Sequence, residues 1–544
     1  MRELRYAVLR SRTARAGGVP AGKQRPLTLP PMRPHPRAST PTDTAATAQP
    51  KAAPAAEPAA RSLLHRPAAP AVVLGALVAV YVLVFGTLTW AQQSNFGTFG
   101  FDMGLYDQGI WLLSRFKPPF LTLRGLNYFA HHVNPITLLF VPAYWLGAGP
   151  QFLYLVETVW LALGAVPLWL LAKDRFGNPW LGVVLGACFL LHPSLEWINR
   201  WHFHPDALII TPLLAAWWLA TQRRWGWFAV AVGVALACKE DAALAVLMLG
   251  LVLALRGERR VGLLTAVAGA GWFLVATRLI IPAAGGGGPY YQQFFPGFGS
   301  SLGEIAWNML IDPSRLTDLA TQPDRLSYYG QLLAPVAFLP LAAPAVLAIG
   351  APQAVINVAS GHALTHDIRY HYSAIVLAAV FVATVEAIAW LARAPGGRRF
   401  LVGLVAATSL AANVAWSPSP LGVEYRSGIW ARPQPKHAAA NRAVRLVPAD
   451  AAVSTSAYLA PHLTHRVHVY EFPNPWVTAN WGLHGEKPAD PATIDYLVVD
   501  TQRLGEQRRL YERLVGPDKE FRVVFAKDGI VASRRALPPA QAGP

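Results

Sequence analysis

The sequence predicts an all-α polytopic membrane protein with about eleven transmembrane helices and a small C-terminal α/β domain outside the membrane. Three observations carry this. Of 544 residues, 53% are hydrophobic and only 14% charged, whereas a soluble chain carries about a quarter charged residues. The apolar residues come in blocks, and the first, Ala71 to Ala91, has no charge and is long enough to cross a bilayer as a helix. After Trp416 the pattern changes to short β-branched runs between turn residues.

Residues 1–69 read as a disordered, basic, Ala/Pro-rich tail. Twelve Lys or Arg lie there, so much of the net charge of +17 sits outside the folded part and implies no nucleic-acid partner. The tail is too long and polar to begin a cleaved signal peptide. It fits a cytoplasmic N-terminus that touches anionic lipid heads.

Residues 70–416 form the transmembrane domain. Its short loops Lys173-Asp174-Arg175, Arg223-Arg224, Arg256 to Arg260 and Arg393 to Arg399 are basic, which places all four in the cytoplasm. Spans at 71–91, 151–172, 179–193, 206–221, 226–238, 242–256, 261–281, 330–342, 344–359, 373–392 and 399–416 satisfy that rule. They leave a first outer loop at 93–133 and a long outer loop at 282–329. Pro135–Gly147 must then dip into the outer face without crossing. The stretch 330–359 must cross twice, helped by Pro335, Pro340, Pro344 and Pro352. Trp227 to Leu255 is interrupted only by Lys239-Glu240-Asp241. At 1.5 Å per residue two full spans barely fit, so this charged turn sits below the membrane surface. Nineteen Trp and seventeen Tyr supply interfacial belts. Cys188 and Cys238 read as small buried hydrophobes.

Residues 417–535 predict an extracytoplasmic α/β domain: a helix at 436–447, strands at 452–456, 466–472 and 494–500, a helix at 505–515, and a hairpin over 521–532 turning at Lys527-Asp528-Gly529. A disordered tail follows at 536–544.

This topology gathers the polar residues. Asp102, Asp107, Glu196, Asp206, Glu240, Asp241, Glu304, Asp312, Asp318, Asp324 and Asp367 fall on the outer side. So do His131, His132, His192, His202, His204, His362, His366 and His371. Carboxylates at an apolar boundary are costly without compensation. Asp102 and Asp107 are therefore candidate catalytic acids, although they lie about 140° apart on one helix and do not suit one shared ion. Helix capping by Asp102 is the competing reading. His202-Phe203-His204 can bind a metal from an extended segment, and Arg200 beside it suits a phosphate. Lys239, Glu240 and Asp241 are substrate-binding candidates by their depth. Arg369 and His371, in His362 to Tyr372, can hold an anion. Plain interfacial loops compete with both histidine segments. Gly285 to Gly288 lacks a phosphate-loop context and signifies flexibility. No metal set is identified; a divalent cation near Glu240, Asp241, His202 and His204 is a candidate cofactor.

The segments FDMGLYDQGIW, HFHPD, CKEDAAL and RYHYSA together resemble the DUF2079 family of bacterial and archaeal membrane proteins. The resemblance runs from about residue 75 to 500 and includes VPADAAVSTSAYLAPHLTHR. That family is similar in layout to the GT-C membrane glycosyltransferases, which place an acid in the first outer loop and use polyprenyl-phosphate sugars. The resemblance implies a GT-C-like fold and matches Asp102 to the first-loop acid. It matches YFAHHVNP, residues 128–135, to the segment that follows. A basic KPP found in some relatives is absent. It further implies transfer of a sugar from a polyprenyl-phosphate donor to an envelope acceptor at the outer face. Asp102 would be the base, Asp107 its orienting partner, and Arg200, Lys239 and Arg369 the phosphate contacts. A transporter or flippase of lipid-linked or small polar substrates, or a non-catalytic envelope scaffold, are the alternatives. No internal repeat marks a transporter.

Overall fold

The computed structural model describes residues 68–285, 293–479, 481 and 489–536. The expected tails, apart from Ala68, Ala69 and Ala536, lie outside the described residues, as do Gly286–Gly288.

Among the described residues, five helices are long and apolar enough to cross a membrane: Ala69–Ser94, Pro150–Phe176, Arg259–Ala283, His371–Leu391 and Pro395–Trp416. A sixth, Pro179–Leu190 with Pro193–Arg200, is bent by 47°. Pro193 removes a helix donor at the bend, and the His192 ring accepts the freed Ser194 N–H. The other expected spans are shorter. Trp225–Leu236 and Ala242–Leu255 have 12 and 14 residues, about 18 and 21 Å against a slab of about 30 Å. Eleven full-length spans therefore do not appear among the described helices. The expected pair 330–342 and 344–359 is a chain of short turns and helices, with left-handed backbone at Ala337 and Phe338. Its prolines break regular helix at each step. Pro135–Trp145 is short, as its expected dip requires.

The basic loops share one end of the bundle. Glu386 accepts hydrogen bonds from Arg175 (2.8 Å) and Trp217 (2.9 Å) and lies 4.0 Å from Arg256. Arg223 pairs with Glu258 at 2.6 Å, and Arg398 donates to the Phe176 carbonyl at 3.0 Å. The acid and histidine segments meet at the opposite end. There, the Lys239-Glu240-Asp241 turn is held because Ala242–Leu255 packs tightly on the helix Arg259–Val275. A Cβ on Gly250 or Gly262 would strike the facing helix backbone, the small-residue contact common in membrane bundles.

Both cysteines are buried and unpaired. After Trp416 a five-stranded sheet forms. Its strands are β3 (Val453–Thr455), β4 (Val469–Glu471), β5 (Tyr496–Asp500), β6 (Phe521–Lys527) and β7 (Ile530–Arg535), in the order β4-β3-β5-β7-β6. β3 runs parallel to β4 and β5, and β7 antiparallel to β5 and β6. The β6–β7 turn places Asp528 and Gly529 at positive φ, the two-residue turn whose twist suits a hairpin. Helices Pro435–Arg445 and Arg508–Leu514 occupy the expected helical segments.

The sheet docks on the first loop. A small hairpin, β1 (Phe120–Leu121) with β2 (Leu126–Asn127), carries Thr122 at its turn. Thr122 donates to the Val469 carbonyl (2.7 Å) and accepts from the Val469 N–H (3.0 Å). This satisfies the Val469 backbone groups at the start of the open edge of β4, an edge that otherwise invites mispairing. Gln108 donates to Thr122 (2.9 Å) and to the Val467 carbonyl (3.1 Å).

Gly250→Leu overpacks the helix contact and should cost about 1–3 kcal/mol. Thermal unfolding in detergent should show a lower midpoint for it, but not for Gly271→Leu, where a Cβ meets open space.

Candidate active site

The site begins where the first loop enters the helix Leu105–Ser114. Gly100–Gly104 form a wide π-helical turn, and no side-chain cap closes it or the following helix. Asp102 is therefore not spent as a cap. Such wide turns favour functional positions because they re-aim side chains. Here the turn aims Asp102 at the loop Trp201–Pro205. The His202 Nδ1 lies 3.2 Å from Asp102 Oδ2, and His204 Nε2 lies 3.7 Å from Oδ1.

The chemistry fixes the protons. Burial alone would raise the Asp102 carboxyl, but hydrogen bonds from His202 and His204 outweigh it and hold it well below the usual carboxylate range. A carboxylate only accepts, so His202 donates from Nδ1 and keeps a lone pair on Nε2. Burial lowers the His202 imidazole, which favours this neutral form. His204 donates from Nδ1 to the His202 carbonyl at 2.8 Å. For His204, burial is outweighed by Asp102, and the imidazole is raised.

From His204 the contacts continue into the bundle. Its ring stacks on His371 with centroids 3.7 Å apart. His371 lies 3.5 Å from Asp206, and Lys239 joins Asp206 (2.9 Å) to Asp241 (3.3 Å). Glu240 points another way, accepting from His132 at 2.8 Å and the Val133 N–H at 2.9 Å. Among the described residues, no group of three or more His, Cys, Asp or Glu is placed to hold a metal ion. The acids are each met by histidine, lysine or backbone rather than converging on one point.

Two cavities flank this chain of contacts. A polar one of about 430 Å³ lies between the bundle and the C-terminal sheet and is bordered by His202. A largely apolar one of about 250 Å³ is walled by Phe273, Phe295, Ile305 and Met309 and reaches His132, Lys239 and Asp241.

Other expected site residues stand apart. Asp107 does not touch Asp102. It is fully buried and accepts from Tyr144 (2.7 Å) and from the Thr464 hydroxyl, with His465 at 3.2 Å. Its partners come from Pro135–Trp145 and the C-terminal domain, so it ties elements together and orients nothing at Asp102. Arg369 is more than half exposed and spent on Asp367 at 2.6 Å. Arg200 is sandwiched between the Trp197 and Trp430 rings at 5.2 and 5.5 Å and donates to the Ile429 carbonyl. It faces the polar cavity, away from Lys239's apolar one.

The model of DUF2079, described as a predicted membrane protein family, matches residues 93–531. The chain belongs to this family. No curated protein matches it. Among solved structures, ArnT from Cupriavidus metallidurans bound to undecaprenyl phosphate aligns at a TM-score of 0.52 and 14% identity, over 88% of this chain and 100% of that one. The same protein in the apo state aligns at a TM-score of 0.41 and 15% identity, over 86% and 98%. The first likeness shows the fold this DUF2079 protein adopts, a polytopic helical membrane bundle like that of ArnT with a small C-terminal sheet.

Several residues at or near this candidate site carried no signal by themselves. Asp206 and His132 lie inside motifs that were visible, but their partners are over 30 and 100 residues away. Glu157 sits fully buried in a membrane helix. Glu471 ends β4 and presses against Gly100, where any Cβ would collide with its carboxylate.

Burial and the neighbouring Asp102 push the Glu471 carboxyl up from 4.5 to about 7. The folded protein then keeps a proton there that the unfolded chain releases above 4.5. Stability from this group is fully present below 4.5 and is lost as pH rises from there to about 7. The loss is about 1.4 kcal/mol for each pH unit crossed in that window. Between pH 5 and pH 8, the thermal midpoint should therefore fall less for Glu471→Gln than for the parent. Equal falls would show that Glu471 titrates normally.

Proposed function

We propose that the protein is a membrane glycosyltransferase that moves a sugar from a polyprenyl-phosphate donor to an envelope acceptor. The observation that carries this is the placement of the two cavities. One is apolar with a charged end, and the other is polar. His202, the partner of Asp102, borders the polar one, and a continuous series of contacts runs from Asp102 through His204, His371 and Asp206 to Lys239 at the other. The shared fold with a protein solved with undecaprenyl phosphate supports the same reading.

In this reading the prenyl chain lies against Phe273, Phe295 and Met309, and its phosphate meets Lys239 and His132. The phosphate competes with Asp241 for Lys239, since both line that cavity. The acceptor hydroxyl enters from the polar side. Its oxygen attacks the anomeric carbon, the bond from that carbon to the phosphate oxygen breaks, and polyprenyl phosphate leaves with the electron pair. His202 Nε2 takes the acceptor proton. Asp102 fixes the ring's tautomer and stabilises the imidazolium, the division of labour familiar from carboxylate–histidine pairs. A carboxylate held so far below neutrality is a weak base by itself, so the pair replaces Asp102 alone in that role. The positive-inside pattern supports an outer-face site and a C-terminal domain outside the cell.

Purified protein incubated with a panel of radiolabelled polyprenyl-phosphate sugars should release polyprenyl phosphate from at least one of them. Asp102→Asn and His202→Gln should each slow that release by at least about 100-fold. Turnover of no donor in the panel, or parental rates in Asp102→Asn, would sink the proposal.

A further inference from the structure

The polar cavity carries a charge pattern that sugar transfer alone does not require. Arg200, Arg432, Lys436 and Arg503 all line it. One buried acid, Asp500, stands behind them, 3.2 Å from Lys436 and 3.8 Å from Arg503. Among the described residues, no carboxylate lies in ion-pair range of Arg200 or Arg432, and the Arg200 Nε is buried without a hydrogen-bond partner. The helix Pro435–Arg445 also starts here, with Gln434, Lys436 and His437 at the wall. A helix start concentrates the positive end of the peptide dipoles. Cations from three separate segments, at residues 200, 432–436 and 503, converge on one concave space. Solvated surface charges have no cause to do so, because like charges brought together repel.

We propose that this cavity binds a phosphate monoester on a sugar-sized group. Planar guanidinium groups match a phosphate's oxygens two at a time. The volume of about 430 Å³ suits a small ligand, and Trp201 adds an aromatic ring to the wall for the carbon skeleton. His202 borders the same space, so a bound phosphate would hold its parent molecule beside the Asp102–His202 pair. As an anion site the cavity stands by itself. As the place where a phosphate-bearing acceptor docks, it rests on the transferase reading above.

The test uses full-length protein in detergent and measures binding of glucose 6-phosphate, unphosphorylated glucose, and phosphatidic acid in mixed micelles. Glucose 6-phosphate should bind at least tenfold tighter than glucose, and binding should weaken steeply with salt. Arg432→Ala and Arg503→Ala, both at exposed positions, should each weaken it at least tenfold with unchanged thermal midpoints. Stronger binding of phosphatidic acid than of glucose 6-phosphate, lost in the same variants, keeps the phosphate site and makes its source a lipid headgroup. Equal affinity for glucose and glucose 6-phosphate together with no phosphatidic acid binding, or parental affinity in both variants, overturns the proposal. Donor turnover separates the two ideas. Phosphate binding without consumption of any lipid-linked sugar leaves the anion site and removes the transferase. Donor consumption without phosphate binding does the reverse.

Discussion

A carboxylate half-buried at the edge of an apolar slab must find a partner, and at Asp102 that partner is a pair of histidines about a hundred residues away. This constraint organises the end of the bundle. The π turn at Gly100–Gly104 aims the carboxylate, and the bent helix pair ending at Arg200 delivers the His-x-His loop to it. His371 stacks behind, Asp206 balances it, and Lys239 balances Asp206. Removing one partner from a buried ion pair leaves an uncompensated charge at a cost of about 3–5 kcal/mol. Asp206 and Lys239 each have two such partners, so neither charge hangs on a single contact.

The same logic explains the C-terminal domain's position. Asp107 is buried on the far side of its helix from Asp102 and takes its partners from Tyr144, Thr464 and His465. Gln108 and Thr122 complete the seam against β4. The domain is thus fastened to the first loop by the loop's second acid, and Glu471 arrives beside the first. Together the domain and the bundle enclose the polar cavity, with Arg432, Lys436 and Arg503 from one and Arg200 from the other.

Much of this was legible in the sequence, for definite reasons. Blocks of apolar residues give helices, and charged loops give the sorting of ends; the four basic loops do meet around Glu386, Glu258 and Phe176. The Lys239-Glu240-Asp241 turn was marked by the shortness of its flanks, and those helices are 12 and 14 residues long. Helical spacing also separated Asp102 from Asp107. The pairings were not legible, because they join segments remote in sequence and no local period records them. Arg369 looked like an anion ligand until Asp367, two residues before it, proved to occupy its guanidinium. Asp107 looked like support for Asp102 because they are neighbours in sequence, although helix geometry turns them apart. The lengths of the helices were less legible, because prolines and the charged turn cut long apolar stretches into pieces.

A double-mutant cycle on donor turnover tests most directly whether Asp102 and His202 act as one unit beside the polar cavity. If the pair is a unit, Asp102→Asn combined with His202→Gln loses about as much rate as the more damaging single change. Losses that multiply, as for two independent residues, would contradict the account.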